Sequence, residues 1–197
     1  MDQYLKETHI INWSHPGIRT LAATLAEGCT SPAETAKKCF EWVRDNIYHS
    51  WDFKQNPVTY IASDVLKHAT GYCYAKSHLL CALLRANQIP AGFCYQRLSI
   101  EDTGPPYCLH GLNAVFLDDY GWYRIDARGN KPDVNAQFSP PLEQLAFSAT
   151  GKQAADFYEI WPDPLDIVIT VLEKSHTYRD VYDNLPDIEI ISIHDNA

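Results

Sequence analysis

The chain is short of positive charge. Sixteen Lys and Arg stand against 25 Asp and Glu, for a formal net charge of −9 over 197 residues. No Lys/Arg stripe runs along any segment, which excludes the electrostatic footprint of a nucleic-acid-binding surface. No apolar run approaches the ~18 residues that a membrane-crossing helix needs. The opening "MDQYLKETHIINWSHP" carries charges where a secretory leader would be apolar, so the sequence is read as cytoplasmic. Internal repeats and low-complexity segments are absent. The six cysteines (29, 39, 73, 81, 94 and 108) never form a CxxC pair. The tightest Cys/His group, Cys108-Leu109-His110, is too sparse for a structural zinc site, so no metal is expected, and no cofactor either. In a reducing compartment these thiols stay mostly reduced.

What remains is ordinary globular composition, 46% hydrophobic and 21% charged. The length fits one domain, with a core at about 33–130 and an extension, 131–197, wrapping that core. "CTSPAETAKKCFEWVRDNI" predicts a helix: Ser31 at the N-cap, Pro32 at the first helical position, Glu34 closing a capping box, and apolar residues at 36, 39, 40, 43 and 47. "YHSWDF" reads as extended. "SDVLKHATG" reads as a short helix capped by Ser63 or Asp64 and ended by Gly71. In "GYCYAKSHLLCALLRA", Ala75, Leu79, Ala82, Leu83 and Ala86 recur at helical spacing, and Leu80 and Leu84 widen the stripe to half the circumference. Pro90 ends this helix.

The period then changes. "AGFCYQRL", "LHGLNAVFL" and "WYRIDA" read as strands, the last two joined through "DDYG". Helices followed by antiparallel strands give an α+β fold, with the Cys73 helix packed on the sheet. Two further helices are expected in the extension, one starting at Asp163-Pro164-Leu165-Asp166 and one over about 177–184.

Cys73 sits at a helix start, where free N–H groups and the helix dipole favour thiolate and can donate to a developing oxyanion. A thiol nucleophile needs a base, and the base an orienter. His110 opens one strand of the hairpin and Asp126 lies on the other. They share a sheet face only if the connecting loop has an odd number of residues or the hairpin carries a bulge. His78 is a rival base, but it lies five residues along the same helix and points away. Asn113 is a rival orienter. Cys29, Cys39, Cys81 and Cys94 read as core residues in apolar runs. Cys108 stands apart, close to His110 in sequence. A redox pairing with Cys73 is disfavoured in a reducing compartment. Trp51, Tyr72 and Tyr74 are candidate substrate or oxyanion contacts, Trp51 as a second donor beside the Cys73 N–H.

Taken together, "GYCYAKSHLLCALLRANQIPAGF" and "LHGLNAVFLDDYGWYRIDA" resemble the core of the transglutaminase-like superfamily over about residues 33–130. The resemblance implies a papain-like fold, a Cys73–His110–Asp126 triad, and cleavage or exchange of amide bonds in a peptide or protein through a thioester. Some members of that family have lost activity, so a silent peptide- or protein-binding module on the same fold is the alternative. Acyl transfer from a small thioester donor would use the same residues. Two departures stand out. The family's His-x-Trp-x-Glu is here His110-Gly111-Leu112-Asn113-Ala114, and the Pro that often follows the Asp is replaced by Ala127. Contacts on the substrate side must therefore differ. Nothing matches the acidic calcium sites of the large animal enzymes.

Overall fold

The computed structural model describes residues 1–101, 104–151 and 153–188. Two helices open the chain, α1 (Pro16–Ala26) and α2 (Pro32–Asn46). The first was not anticipated. His15 caps it, its Nδ1 accepting the Gly17 N–H at 3.2 Å, with Pro16 at the first helical position and Ile18 and Ala22 buried. In α2, Ser31 Oγ accepts the Glu34 N–H at 3.2 Å as expected. The Glu34 carboxylate reaches one residue further back than a capping box requires, accepting the Thr30 N–H at 2.7 Å.

"YHSWDF" is only partly extended. Tyr48–His49 forms the two-residue strand β1, and Ser50–Phe53 turns once as α3 before Lys54 ends it in the left-handed region. Helix α4 (Ala62–His68) has Ile61 at its N-cap, not Ser63 or Asp64. Asn12 supplies the missing acceptor from 51 residues away, its Oδ1 taking the Ser63 N–H at 3.1 Å. Ala69, at φ 51°, ends the helix in place of Gly71. Gly71 instead belongs to β2 (Thr70–Gly71), parallel to β1, and a Cβ there would lie 2.7 Å from the Ala75 Cβ. That approach seats the next helix, α5 (Cys73–Ala86), against β2. Every residue of α5 from Cys73 to Arg85 is buried. The Arg85 guanidinium donates to the carbonyls of Lys6, Ala91 and Pro162, joining the N-terminus, the sheet and the C-terminal segment around one side chain.

The sheet is antiparallel, in the order β5-β4-β3-β8, built from β3 (Ala91–Ser99), β4 (Tyr107–Leu117), β5 (Gly121–Ile125) and the short β8 (Ala155–Asp156). A separate hairpin pairs β6 (Gln137–Ser139) with β7 (Leu142–Gln144). Helix α5 packs on the face carrying Tyr95, Leu109, Val115 and Ile125, and these residues form the main core with α1, α2 and α4. Cys94, Leu112 and Ala114 form a small cluster on the opposite face. Helices α6 (Asp166–Lys174) and α7 (Tyr178–Asp183) complete the described chain. The first starts two residues later than the Asp163–Pro164 signal suggests, with Leu165 at its N-cap; the second carries a capping box between Thr177 and Asp180. Among the described residues, no helix is long and apolar enough to cross a membrane.

Candidate active site

The hairpin decides the geometry. Leu117 pairs with Gly121, which leaves a three-residue loop, Asp118–Tyr120. Gly121 takes the positive φ (72°) that closes such a loop. The odd length puts residue 126 on the same face as residue 110. Extending the register past Asn113↔Ile125 sets Asp126 opposite Leu112, one diagonal step from His110. The His110 Nε2–H donates to Asp126 Oδ2 at 2.7 Å, and both side chains are buried.

Asp126 is held on its other sides. Its carboxylate also accepts the backbone N–H of Arg128 at 3.1 Å and of Ala146 at 3.0 Å. Burial alone would raise its pKa, but the His110 charge and these donors hold the carboxyl below its ordinary range. For His110, burial opposes protonation. The Asp126 carboxylate and Cys73 outweigh it and push the imidazole up to about 10. Phe147 packs edge-on against the ring, 5.0 Å between centroids.

Cys73 reaches this pair along an unpaired stretch of strand. β5 pairs with β4 only from Asn113 onward, so the N–H groups of Leu109 and Gly111 lie outside that ladder. The Leu109 N–H donates to Pro186 O at 2.7 Å, and the Gly111 N–H donates to Cys73 Sγ at 3.5 Å. Cys73 is the first residue of α5, and Tyr72 at the N-cap offers no side-chain bond to the open N–H groups there. The thiol thus accepts from the residue next to His110 and interacts with the imidazole charge. Gly111 permits this approach, since a Cβ there would sit 2.9 Å from Tyr74 Cδ1. Cys73 and His110 line a cleft of about 520 Å³, together with Trp51, Phe147 and Tyr182 among others, and Asp126 lies buried behind His110.

The rivals are placed elsewhere. His78 Nδ1 donates to Tyr60 O at 2.6 Å. Asn113 Nδ2 donates to the carbonyls of Ser77 and Gly92, on the α5 side of the sheet. Burial raises the thiols of Cys39 and Cys94 to about 12 and that of Cys81 to about 11, as befits core residues. Cys29 is half-buried outside the core, contrary to its reading as an apolar-run residue, and donates to Leu25 O. Cys108 lines the cleft as a free thiol, its pKa pushed up to about 12 by burial.

Trp51, Tyr72 and Tyr74 also line the cleft, each with another engagement. Trp51 stacks on Tyr182, centroids 3.7 Å apart and planes 6° apart, with Lys54 Nζ over its ring. The Tyr72 hydroxyl donates to Tyr178 O at 2.6 Å, and the Tyr74 hydroxyl donates to Leu109 O. Sequence reasoning missed His49, Arg128 and Phe147. Arg128 Nη1 pairs with Asp52 Oδ2 at 2.6 Å beside His49. Only the position of His49 in the aromatic segment "YHSWDF" could have signalled it. No group of three or more His, Cys, Asp or Glu placed to hold a metal occurs among the described residues.

None of the curated proteins matches the chain in sequence. Among solved structures it is similar to a candidate cysteine protease from Cytophaga hutchinsonii (20% identity, TM-score 0.49, covering 64% of this chain and 40% of that one). It is also similar to the periplasmic domain of TgpA from Pseudomonas aeruginosa (17% identity, TM-score 0.48, covering 63% and 45%). A third is the arylamine N-acetyltransferase of Mycobacterium abscessus (18% identity, TM-score 0.48, covering 70% and 59%). The chain thus spans less than half the length of the first two. Residues 19–127, more than half of the sequence, match the family of thiol enzymes built on this helix and sheet, and the chain belongs to the transglutaminase-like superfamily.

Proposed function

We propose that the chain is a thiol-dependent enzyme acting on an amide bond of a peptide or protein. Cys73 attacks the carbonyl, His110 carries the proton to the leaving amine, and Asp126 holds the imidazolium in place. The acyl group rests on Cys73 as a thioester until water or an amine removes it. One observation carries this reading: His110, held by a buried carboxylate, lines the same cleft as Cys73, whose Sγ accepts the N–H of the next residue, Gly111. A silent binding module has no need of a cleft imidazole held by a buried carboxylate beside a thiol.

The test is iodoacetamide labelling at pH 6 with peptide mapping. Cys73 is expected to react well ahead of Cys81 and Cys94. Equal labelling would remove the activated nucleophile. With an acylating substrate, Cys73→Ala is expected to abolish turnover, and added hydroxylamine separates transfer to an amine from hydrolysis by its product.

A further inference from the structure

His49 lines the same cleft as Cys73 but has no part in the chemistry above. β1 brings it there: His49 pairs with Gly71, two residues before the thiol. Its ring packs edge-on to Tyr72, 5.3 Å between centroids. The residue is only 7% exposed. Nδ1 is sealed from solvent without a hydrogen bond, its nearest carboxylate oxygen, Asp52 Oδ2, lying 3.7 Å away. No hydrogen bond occupies Nε2 among the described residues. A buried polar group left unpaired costs stability, and sites that bind a transition state are where such a cost is retained.

The surroundings settle the ring's charge. Burial holds the imidazole neutral, and the Arg128 cation adds to this, with smaller contributions from Lys76 and His110. Asp52 pulls the other way but is itself occupied by Arg128 at 2.6 Å and Lys131 at 3.4 Å. Asp52, engaged by Arg128 and Lys131, makes no hydrogen bond to Nδ1, so nothing pins the ring's one proton there and Nε2 is free to carry it. A neutral imidazole of this kind polarises a carbonyl without giving up its proton.

We propose that His49 is an oxyanion donor, its Nε2–H binding the substrate carbonyl oxygen beside the backbone N–H of Cys73. This rests on the acyl-transfer reading. As the Cys73 Sγ–carbon bond forms, the carbonyl π pair moves onto oxygen, which accepts hydrogen bonds from both donors without proton transfer. The pair returns when the bond to the leaving group breaks, and the leaving group departs with the proton from His110. This assigns to His49 the second-donor role that sequence reasoning placed on Trp51, whose ring face stacks on Tyr182.

Two reagents separate the roles. p-Nitrophenyl acetate acylates a thiol through a tetrahedral oxyanion, whereas iodoacetamide alkylates it by direct displacement with no oxyanion. His49→Ala is expected to slow acetylation about 100- to 1000-fold, the effect of losing one such donor, with alkylation of Cys73 within about twofold of wild type. His49→Gln, which returns an N–H near the Nε2 position, is expected to recover at least about tenfold, and the loss should be the same from pH 6.5 to 8, above the ordinary imidazole value from which burial lowers this ring. Equal losses of acetylation and alkylation in both variants, or unchanged acetylation in His49→Ala, would overturn the proposal. A wild-type protein alkylated at Cys73 but never acetylated would overturn the acyl-transfer reading itself.

Discussion

At the scale of single residues, charge and burial set the chemistry. Asp126 accepts from one ring N–H and two backbone N–H groups, all buried. Asp126→Asn keeps its shape but loses its charge and turns an NH₂ toward donors. By comparison with an orienting aspartate in a serine triad, acylation should fall about 10⁴-fold. The alkaline limb of its pH profile should also move to lower pH, because the carboxylate is what holds the His110 proton against burial. His78 has the opposite balance. Burial lowers it to about 4, opposed by the Tyr60 carbonyl. The unfolded chain, with an ordinary histidine near 6.5, therefore binds the proton first as pH falls. Stability should drop between pH 6.5 and 4, by roughly 3 kcal/mol from this residue alone. Urea midpoints measured down that range check it, and His78→Leu should flatten part of the slope.

At the scale of elements, the site depends on how closely α5 meets β4. Gly111→Ala would place a methyl 2.9 Å from Tyr74 Cδ1 and 3.4 Å from Tyr74 Cα, against a ring that is itself buried. The start of α5 must then move outward and take Cys73 with it. We expect a loss of about 1–3 kcal/mol in thermal unfolding and a much larger loss of acylation, since a displacement near 1 Å can cost about 100-fold. The elements that carry the triad were legible because their signals are local: the leucine stripe of α5, Pro90 after it, and the turn at Asp118–Tyr120. The parity of that turn was legible as a condition on its length. Cap positions were not, because α4 borrows Asn12 from another segment. Nor was the role of His49, whose neighbours Tyr72 and Arg128 arrive through a two-residue parallel pairing and a distant loop. Helix α1 had a readable start at His15-Pro16, and its apolar spacing at 18, 22 and 25 was there to be counted.

At the scale of the whole molecule, segments outside the family match build one wall of the cleft. Tyr182 and Leu185 line it. Pro186 accepts the Leu109 N–H beside His110. Asp187 binds Arg97 through two bonds of 2.7 and 2.6 Å. We read this wall as setting selectivity while the core performs the chemistry. Tyr182→Ala should uncover Trp51, seen as a red shift in its emission, and raise KM for a longer acyl ester such as p-nitrophenyl butyrate. Alkylation of Cys73 should not change; a parallel fall would tie the wall to the nucleophile instead. The hairpin loop has a consequence of another kind. Most substitutions at Asp118, Asp119 or Tyr120 would leave Asp126 where it is. A single codon gained or lost there forces a choice: the loop takes up the change and the ladder stays as it is, or the strand slips one residue to keep a three-residue loop and Asp126 turns to the far side of the sheet. The spelling of this turn is thus freer than its length, because only a change of length puts the register of Asp126 at risk.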